Sequence, residues 1–189
     1  MHPEFETERL RLRSFNERDL DPFSALTSNE GFMRFSGTGP IGREETAAML
    51  ERIMVRTRAG QPAQFAVFLR GQHKLIGYCG FFFQTVDGVN DLEVAYRIHP
   101  DYWGRGLATE GAQAVRDHAF QDLRLERLIS LIHPDNHASR RVAEKNGMTL
   151  ERRTTFKDFP ALVFAISRQH WGRLPCDARR TLRSKHDTL

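Results

Sequence analysis

Leu92-Glu93-Val94-Ala95-Tyr96-Arg97-Ile98-His99-Pro100-Asp101-Tyr102-Trp103-Gly104-Arg105-Gly106-Leu107-Ala108-Thr109 runs from a strand pattern through a polar loop into a helix pattern. The glycines on either side of Arg105 let the backbone come close to a ligand. Unpaired N–H groups at a helix start, with the positive end of the helix dipole, favour an anion such as a phosphate. Arg105 adds a full positive charge where a diphosphate would lie. Taken alone, the pair of glycines is equally compatible with a tight turn that binds nothing. Two nucleotide-loop patterns fit the spacing poorly. A P-loop needs Gly-x-x-x-x-Gly-Lys-Ser/Thr, which is absent. A dinucleotide fingerprint needs a third glycine where Thr109 stands, directly after its strand, whereas His99 to Trp103 intervene here.

The next strand pattern, Leu125 to Ile132, also runs into a polar loop and a helix: His133-Pro134-Asp135-Asn136-His137-Ala138-Ser139-Arg140-Arg141, closed by Glu144-Lys145-Asn146-Gly147-Met148. Asn136 is a good helix cap, with Ser139 three residues on. Two parallel strands that each end at a helix N-terminus create a crevice at their carboxyl ends.

Around this pair the chain is mostly antiparallel. Thr7 to Ser14 alternates apolar and basic residues and reads as a half-buried strand. Asn16 caps a short helix from Leu20, and Arg43 to Arg58 carries Ala47, Leu50 and Met54 at helical spacing. Phe65 to Leu69, Leu75 to Val86 and Leu92 to Ile98 form a meander turned by Asp87-Gly88. A helix spans Gly106 to Phe120 and another Ala138 to Asn146. Strands at Met148 to Phe156 and Ala161 to Ser167 flank Asp158-Phe159-Pro160. The expectation is an α+β domain over residues 1–172, followed by a basic tail, 173–189.

With 189 residues, one core of ordinary size suffices without disulfide or metal staples. At 40% hydrophobic and 28% charged residues, wholly disordered and membrane-embedded classes are excluded. The start of the chain lacks a basic segment followed by an apolar one, so a cytoplasmic location is expected. Cys79 in an apolar run and Cys176 in a polar tail suit neither a staple nor a metal site. The net charge of +4 is spread along the chain, which suits an anionic cofactor better than nucleic acid.

Trp103-Gly104-Arg105-Gly106-Leu107-Ala108 resembles the Gln/Arg-x-x-Gly-x-Gly/Ala signature of the GNAT acyl-CoA N-acyltransferases. Tyr102 to Glu110, the Asn136 to Met148 segment and the opening Thr7-Glu8-Arg9-Leu10-Arg11-Leu12-Arg13 resemble the branch containing ribosomal-protein N-terminal acetyltransferases. The resemblance spans about Thr7 to Arg168. It implies a central, mostly antiparallel sheet whose one parallel pair splays to hold acyl-CoA, with helices on both faces. It implies acetyl-CoA as co-substrate, no metal, and a primary amine as acceptor, a protein N-terminus or a small amine. A homodimer is left open, and no membrane partner is implied.

On this resemblance the backbone of Tyr96, Arg97 and Ile98 pairs with the pantetheine amides, and the N–H groups of Trp103, Gly104, Arg105, Gly106, Leu107, Ala108 and Thr109 hold the diphosphate. Asn136 and Ser139 contact the pantetheine arm, and Arg141 reaches toward the nucleotide. Trp103 stands where the signature has a polar residue. Ala143 stands where many relatives place a proton-donating tyrosine, which leaves Ser139 as the nearest replacement. Acyl transfer also needs a base for the amine and a donor for the developing oxyanion. Glu93 is the candidate base, and the N–H of Tyr96 or Ile98 the candidate oxyanion donor. His99, His133 and His137 are weaker proton acceptors, and Cys79 reads as an inert core thiol. Phe32, Phe35, Phe83, Phe156 and Phe159 are candidate linings for the acceptor. A noncatalytic acyl-CoA-binding module and a dinucleotide oxidoreductase remain as other classes.

Overall fold

A short strand that the alternation does not reveal, β1 (Glu4–Glu6), precedes β2 (Leu10–Ser14). The computed structural model describes residues 4–175 and the backbone of Arg183–Ser184. Most of the basic tail, Cys176 included, lies outside the described residues. In β2, Leu10 and Leu12 are fully buried, while Arg11 and Arg13 lie over the Phe68 ring at 5.1 and 4.5 Å. Thr7 to Arg9, expected to begin that strand, instead form a turn closed by the Thr7 amide on the Leu10 carbonyl.

Asn16 does cap, but it caps a 3₁₀ turn at Glu17–Asp19 rather than the helix from Leu20. Its side chain accepts from the Arg18 amide while Asp19 accepts from the Asn16 amide. A single 3₁₀ turn results, followed by α1 (Leu20–Thr27), the short α2 (Glu30–Met33) and α3 (Arg43–Arg58). Then come β3 (Gln64–Leu69), β4 (Leu75–Val86) and β5 (Val89–Ile98). Asp87 and Gly88 take φ of 52° and 79° to make the two-residue turn between β4 and β5, the left-handed geometry that matches strand twist.

The second half is α4 (Leu107–Gln121), β6 (Arg127–Ile132), α5 (His137–Lys145), β7 (Thr149–Phe156), β8 (Phe159–Ser167) and α6 (Arg168–Arg173). The last turn falls at Lys157–Asp158, both at positive φ. Pro160 therefore sits within β8, opposite Thr155, rather than in a loop. Arg183–Ser184 add a ninth strand, β9, against β1.

The sheet order is β7-β8-β6-β5-β4-β3-β2-β1-β9. Every neighbouring pair is antiparallel except β5 with β6. Helix α4 covers one face, burying Leu107, Ala114, Val115, Ala119 and Phe120 against Leu10, Leu12, Val67, Ile76 and Val94. Helices α1–α3 cover the other, where Phe23, Phe32, Leu50 and Ile53 meet Ala66, Phe68 and Tyr78.

Two glycines let β4 sit close to its neighbours. A Cβ at Gly80 would lie 2.5 Å from the Ala63 carbonyl oxygen, and one at Gly77 would meet the Arg97 carbonyl. Backbone cannot yield as a side-chain tip can. Gly80→Ala is therefore expected to cost about 3 kcal/mol or more, the upper end for overpacking, in urea unfolding followed by circular dichroism. Gly172→Ala, with nothing within 4 Å of its added methyl, is the control and is expected to show no loss.

Candidate active site

The parallel strands β5 and β6 share one register pair, Glu93 with Ile129. Just past it, side chains take over the ladder. Ser130 Oγ donates to the Val94 carbonyl at 2.7 Å, and the Leu131 amide donates to Glu93 Oε1 at 3.3 Å. Backbone groups alternate in direction along a strand. The Val94 carbonyl faces β6, and the His99 amide bonds back to Ile76 on β4. The same alternation turns the backbone of Tyr96 and Ile98 toward the gap and that of Arg97 into the β4 ladder. Of the three residues expected to offer backbone groups, two do so at this edge.

Arg97 contributes its side chain instead, donating to the carbonyls of Phe32 and Phe35 at 3.0 and 3.2 Å. That pins the α2–α3 connection over β5. Trp103 is half exposed, yet its indole N–H donates to the Ile98 carbonyl at 2.6 Å, so it braces the mouth of the gap.

The loop into α4 is built as its glycines require. Gly104 and Gly106 have φ of 73° and 76°, a region where a side chain is strained. Nothing lies within 4 Å of where a Cβ on Gly104 would point, so the backbone there is open to a ligand. The first α-helical bond runs from the Glu110 amide to the Gly106 carbonyl at 3.0 Å. The amides of Leu107, Ala108 and Thr109 therefore precede it and point out of the helix end. Arg105 folds back, donating to the Asp101 carbonyl at 2.8 Å with its guanidinium over the Tyr102 ring. Glu8, Arg9, Arg70 and Arg105 line an open depression of about 490 Å³ beside this loop, where Arg9 pairs with Glu110 and Arg70 with Glu6.

The loop is anchored by a group absent from the sequence reading. The Glu110 carboxylate, on the buried face of α4, accepts from Thr7 Oγ1 at 2.6 Å, from the Arg9 amide at 2.8 Å and from Arg9 Nε at 2.7 Å. Arg9 also donates to the Arg105 carbonyl at 2.8 Å. Burial by itself would raise the Glu110 proton affinity. The Thr7 and Arg9 hydrogen bonds outweigh it and hold this carboxyl below the ordinary range. A charged residue on the apolar stripe of a helix, three after Leu107 and four before Ala114, was the available signal.

Across the gap, Asn136 caps α5 by accepting from the Ser139 amide at 3.1 Å. The Tyr96 phenol reaches over from β5 to donate to the Ser139 carbonyl at 2.9 Å, which ties one side of the gap to the other. Ala143, one turn after Ser139, is fully buried. Arg141 is exposed.

Glu93 lies on the opposite face of β5 from Tyr96. It is buried, with Gln84 Nε2 donating to Oε2 at 2.7 Å. Burial pushes its proton affinity up, and the bonds from Gln84 and Leu131 offset part of that rise. Its cross-strand partner is Phe82, so Phe82, rather than the expected Phe83, shares its face. Phe35 packs on the His133 ring at 5.8 Å and Phe159 lies against Gly37, both near this side of the sheet. Phe32 belongs to the core beneath them, and Phe156 packs against a small cluster around Ile129.

His99 and His133 accept from loop amides at Asp101 and Asp135, and His137 is exposed. Cys79 is buried, and burial drives its thiol far above the ordinary range, which fits an inert core residue. Among the described residues no cluster of His, Cys, Asp or Glu is placed to hold a metal ion, and no helix is long and apolar enough to cross a membrane.

A sheet opened between two parallel strands, with helix N-termini at the mouth, suits a protein that grips an extended anionic substrate along a strand edge. Residues 9–149 match the model of the acetyltransferase (GNAT) domain, and the chain belongs to that family of acyltransferases. It is 30% identical over 145 residues to the uncharacterized N-acetyltransferase YnaD of Bacillus subtilis (strain 168), covering 77% of this chain and 82% of that one. It is 25% identical over 150 residues to the ribosomal-protein-serine acetyltransferase of Escherichia coli (strain K12), again over 77% and 82% of the two chains. The crystal structure of a GNAT-family acetyltransferase from Bacillus anthracis superposes with a TM-score of 0.75 at 27% identity, over 88% of this chain and 99% of that one.

The Glu110 anchor carries a pH signature. A carboxyl held low in the folded state contributes stability above the ordinary glutamate pKa and loses it as pH falls through its own lower value. Glu110→Gln keeps the shape and is expected to cost about 1.5–3 kcal/mol at pH 7, as for hydrogen bonds to a charged group. Thermal melting from pH 7 down to pH 3 should show the gap to wild type closing below about pH 4.3.

Proposed function

We propose that the chain transfers an acetyl group from acetyl-CoA directly to a primary amine within a ternary complex. The observation that carries this reading is the gap between β5 and β6, with the Tyr96 backbone and the Ile98 amide turned toward it on one side, an open helix entrance at its mouth and a buried carboxylate at its apex. The backbone of Tyr96 and Ile98 pairs with the pantetheine amides as an added strand would. The amides from Trp103 to Thr109 receive the diphosphate, with Arg105 swinging out from Asp101 to neutralise it. Asn136 and Ser139 border the pantetheine arm at the start of α5, and Arg141 lies toward the nucleotide end.

The amine arrives on the Glu93 face, beneath the loop that Arg97 pins. Glu93 takes its proton, directly or through a water, so that the nitrogen attacks as a neutral nucleophile. The carbonyl oxygen, as it gains charge, lies against the N–H of Tyr96 or Ile98. The departing sulfur takes a proton from Ser139 or leaves as thiolate, since a thiol with an ordinary pKa near 8.5 is a fair leaving group. The acceptor is a protein N-terminal amine or a small amine. The likeness to a relative named for a ribosomal protein supports the former.

Thiol release from acetyl-CoA with a panel of peptides and small amines tests the reaction. Tight binding without turnover on any amine would instead mark a noncatalytic acyl-CoA-binding module. Gly106→Val is expected to lower acetyl-CoA affinity by about tenfold or more in calorimetry, the equivalent of one lost charge-assisted hydrogen bond. Wild-type affinity in the folded variant would remove the loop from the cofactor site.

Glu93→Gln is expected to lower kcat/KM by about 10²-fold or more at pH 6–7. A peptide α-amine, with an ordinary pKa near 7.7–8.0, begins to supply its own neutral form above neutrality, so the deficit should nearly vanish by about pH 9. A lysine-like amine would need more than one further pH unit. A deficit that stays constant from pH 6 to 9 would show that Glu93 holds the strand or the substrate rather than the proton.

A further inference from the structure

On the apex side of the gap, Glu93 is gripped from two strands. Gln84 and Asp91 are register partners, as are Phe82 and Glu93, which makes Gln84 the diagonal neighbour of Glu93 on one face of the β4–β5 hairpin. From there its amide nitrogen reaches Glu93 Oε2 at 2.7 Å, while the Leu131 amide on β6 takes Oε1 at 3.3 Å.

The charged groups around Glu93 are otherwise committed. Arg97, four residues on and on the same face, spends its guanidinium hydrogen bonds on the carbonyls of Phe32 and Phe35 and favours the Glu93 carboxylate only through space. Asp91, two residues before, pairs with Arg127 at 3.0 Å. Lys157, from the β7–β8 turn, lies over the Phe156 ring and acts on Glu93 only through space. Tyr78, buried on β4, faces Arg97 across the strand pair. Gln84 is thus the one side chain among the described residues shown donating a hydrogen bond to this carboxylate.

We infer that Gln84 is the positioning residue that holds Glu93 ionised and aimed into the gap, and so sets the lower pH limit of the reaction. The inference rests on the reading of Glu93 as the base. Chemically, an amide suits the task. Its N–H stabilises the carboxylate without the full opposing charge of a lysine or arginine, which would lower basicity much further. A buried carboxylate without that donor would stay protonated over a wider pH range and be unable to take the amine proton. Nothing in the strand pattern of Leu75 to Val86 marks Gln84. Its role follows only from the hairpin register.

The test is the pH dependence of kcat/KM from pH 5 to 9, with acetyl-CoA and the best amine, alongside a carbon NMR titration of the Glu93 carboxyl. Gln84→Met keeps the volume and removes the donor. Its acidic limb is expected to move to higher pH by about one unit, the equivalent of one charge-assisted hydrogen bond. Activity should come back toward wild type at pH 9. Gln84→Glu, which keeps the shape and places a second carboxyl against Glu93, should move the limb further, and it carries the same test if the methionine variant melts too low. The NMR midpoint of Glu93 should move with the kinetic limb. An unmoved limb and midpoint in a folded Gln84 variant, while Glu93→Gln moves the limb up to the amine's own titration, near pH 7.7–8.0 for an α-amine, would overturn the role of Gln84 and leave Glu93 as base. A Glu93→Gln profile that runs parallel to wild type from pH 5 to 9 would overturn both.

Discussion

One broken ladder organises this molecule. Parallel strands normally continue their hydrogen bonds until one of them ends, yet β5 and β6 are joined at a single residue pair. Beyond it, the Ser130 hydroxyl and the Glu93 carboxylate satisfy groups that a regular ladder would use. An unpaired buried backbone group is costly, so these side chains let the strands part without leaving the apex unsatisfied. The gap is therefore a property of the fold itself, present before any ligand arrives. Its two edges lead to the two helix N-termini, which is why one constraint positions strand edge, helix entrance and carboxylate together.

The two faces of β5 divide the labour. Even-numbered residues look toward α4 and α5, where Tyr96 ties the strand to the start of α5. Odd-numbered ones look toward α1–α3, where Glu93 and Arg97 sit with Phe82 and Tyr78. A donor substrate lying in the gap and an acceptor arriving on the odd face would meet at the apex. The same alternation settles which phenylalanine of the Phe81-Phe82-Phe83 run can approach Glu93.

Much of this was readable from residues alone, and the failures have physical causes. The strand–loop–helix stretch around Gly104-Arg105-Gly106 was legible as a tight turn into a helix, because left-handed glycines and a helix start leave a local trace. Asn136 was legible as a cap for the same reason. Strand ends were less so. Thr7 and Arg9 continue the alternation of β2, but they are pulled out of it by Glu110, a partner 101 to 103 residues away. Pro160 suggested a loop, whereas a strand position where its missing N–H matters little accepts it. The burial of Glu93 and its contact with Gln84 depend on hairpin register and on the approach of β6, neither of which periodicity encodes.

The Glu110 anchor also bears on how the molecule comes into being. It closes a chain separation of 103 residues, from Thr7 to Glu110, and contacts of such range are slow to form because loop-closure entropy must be spent before they reward it. The loop into α4 is therefore not a local element that folds early and waits. It acquires its shape only when the first strands have docked beside α4. During synthesis the anchor's second half emerges long after its first, so the nascent chain carries an unshaped loop until the first five strands and the start of α4 have been made. Shaping this loop and docking the first strands beside α4 become, in kinetic terms, the same event.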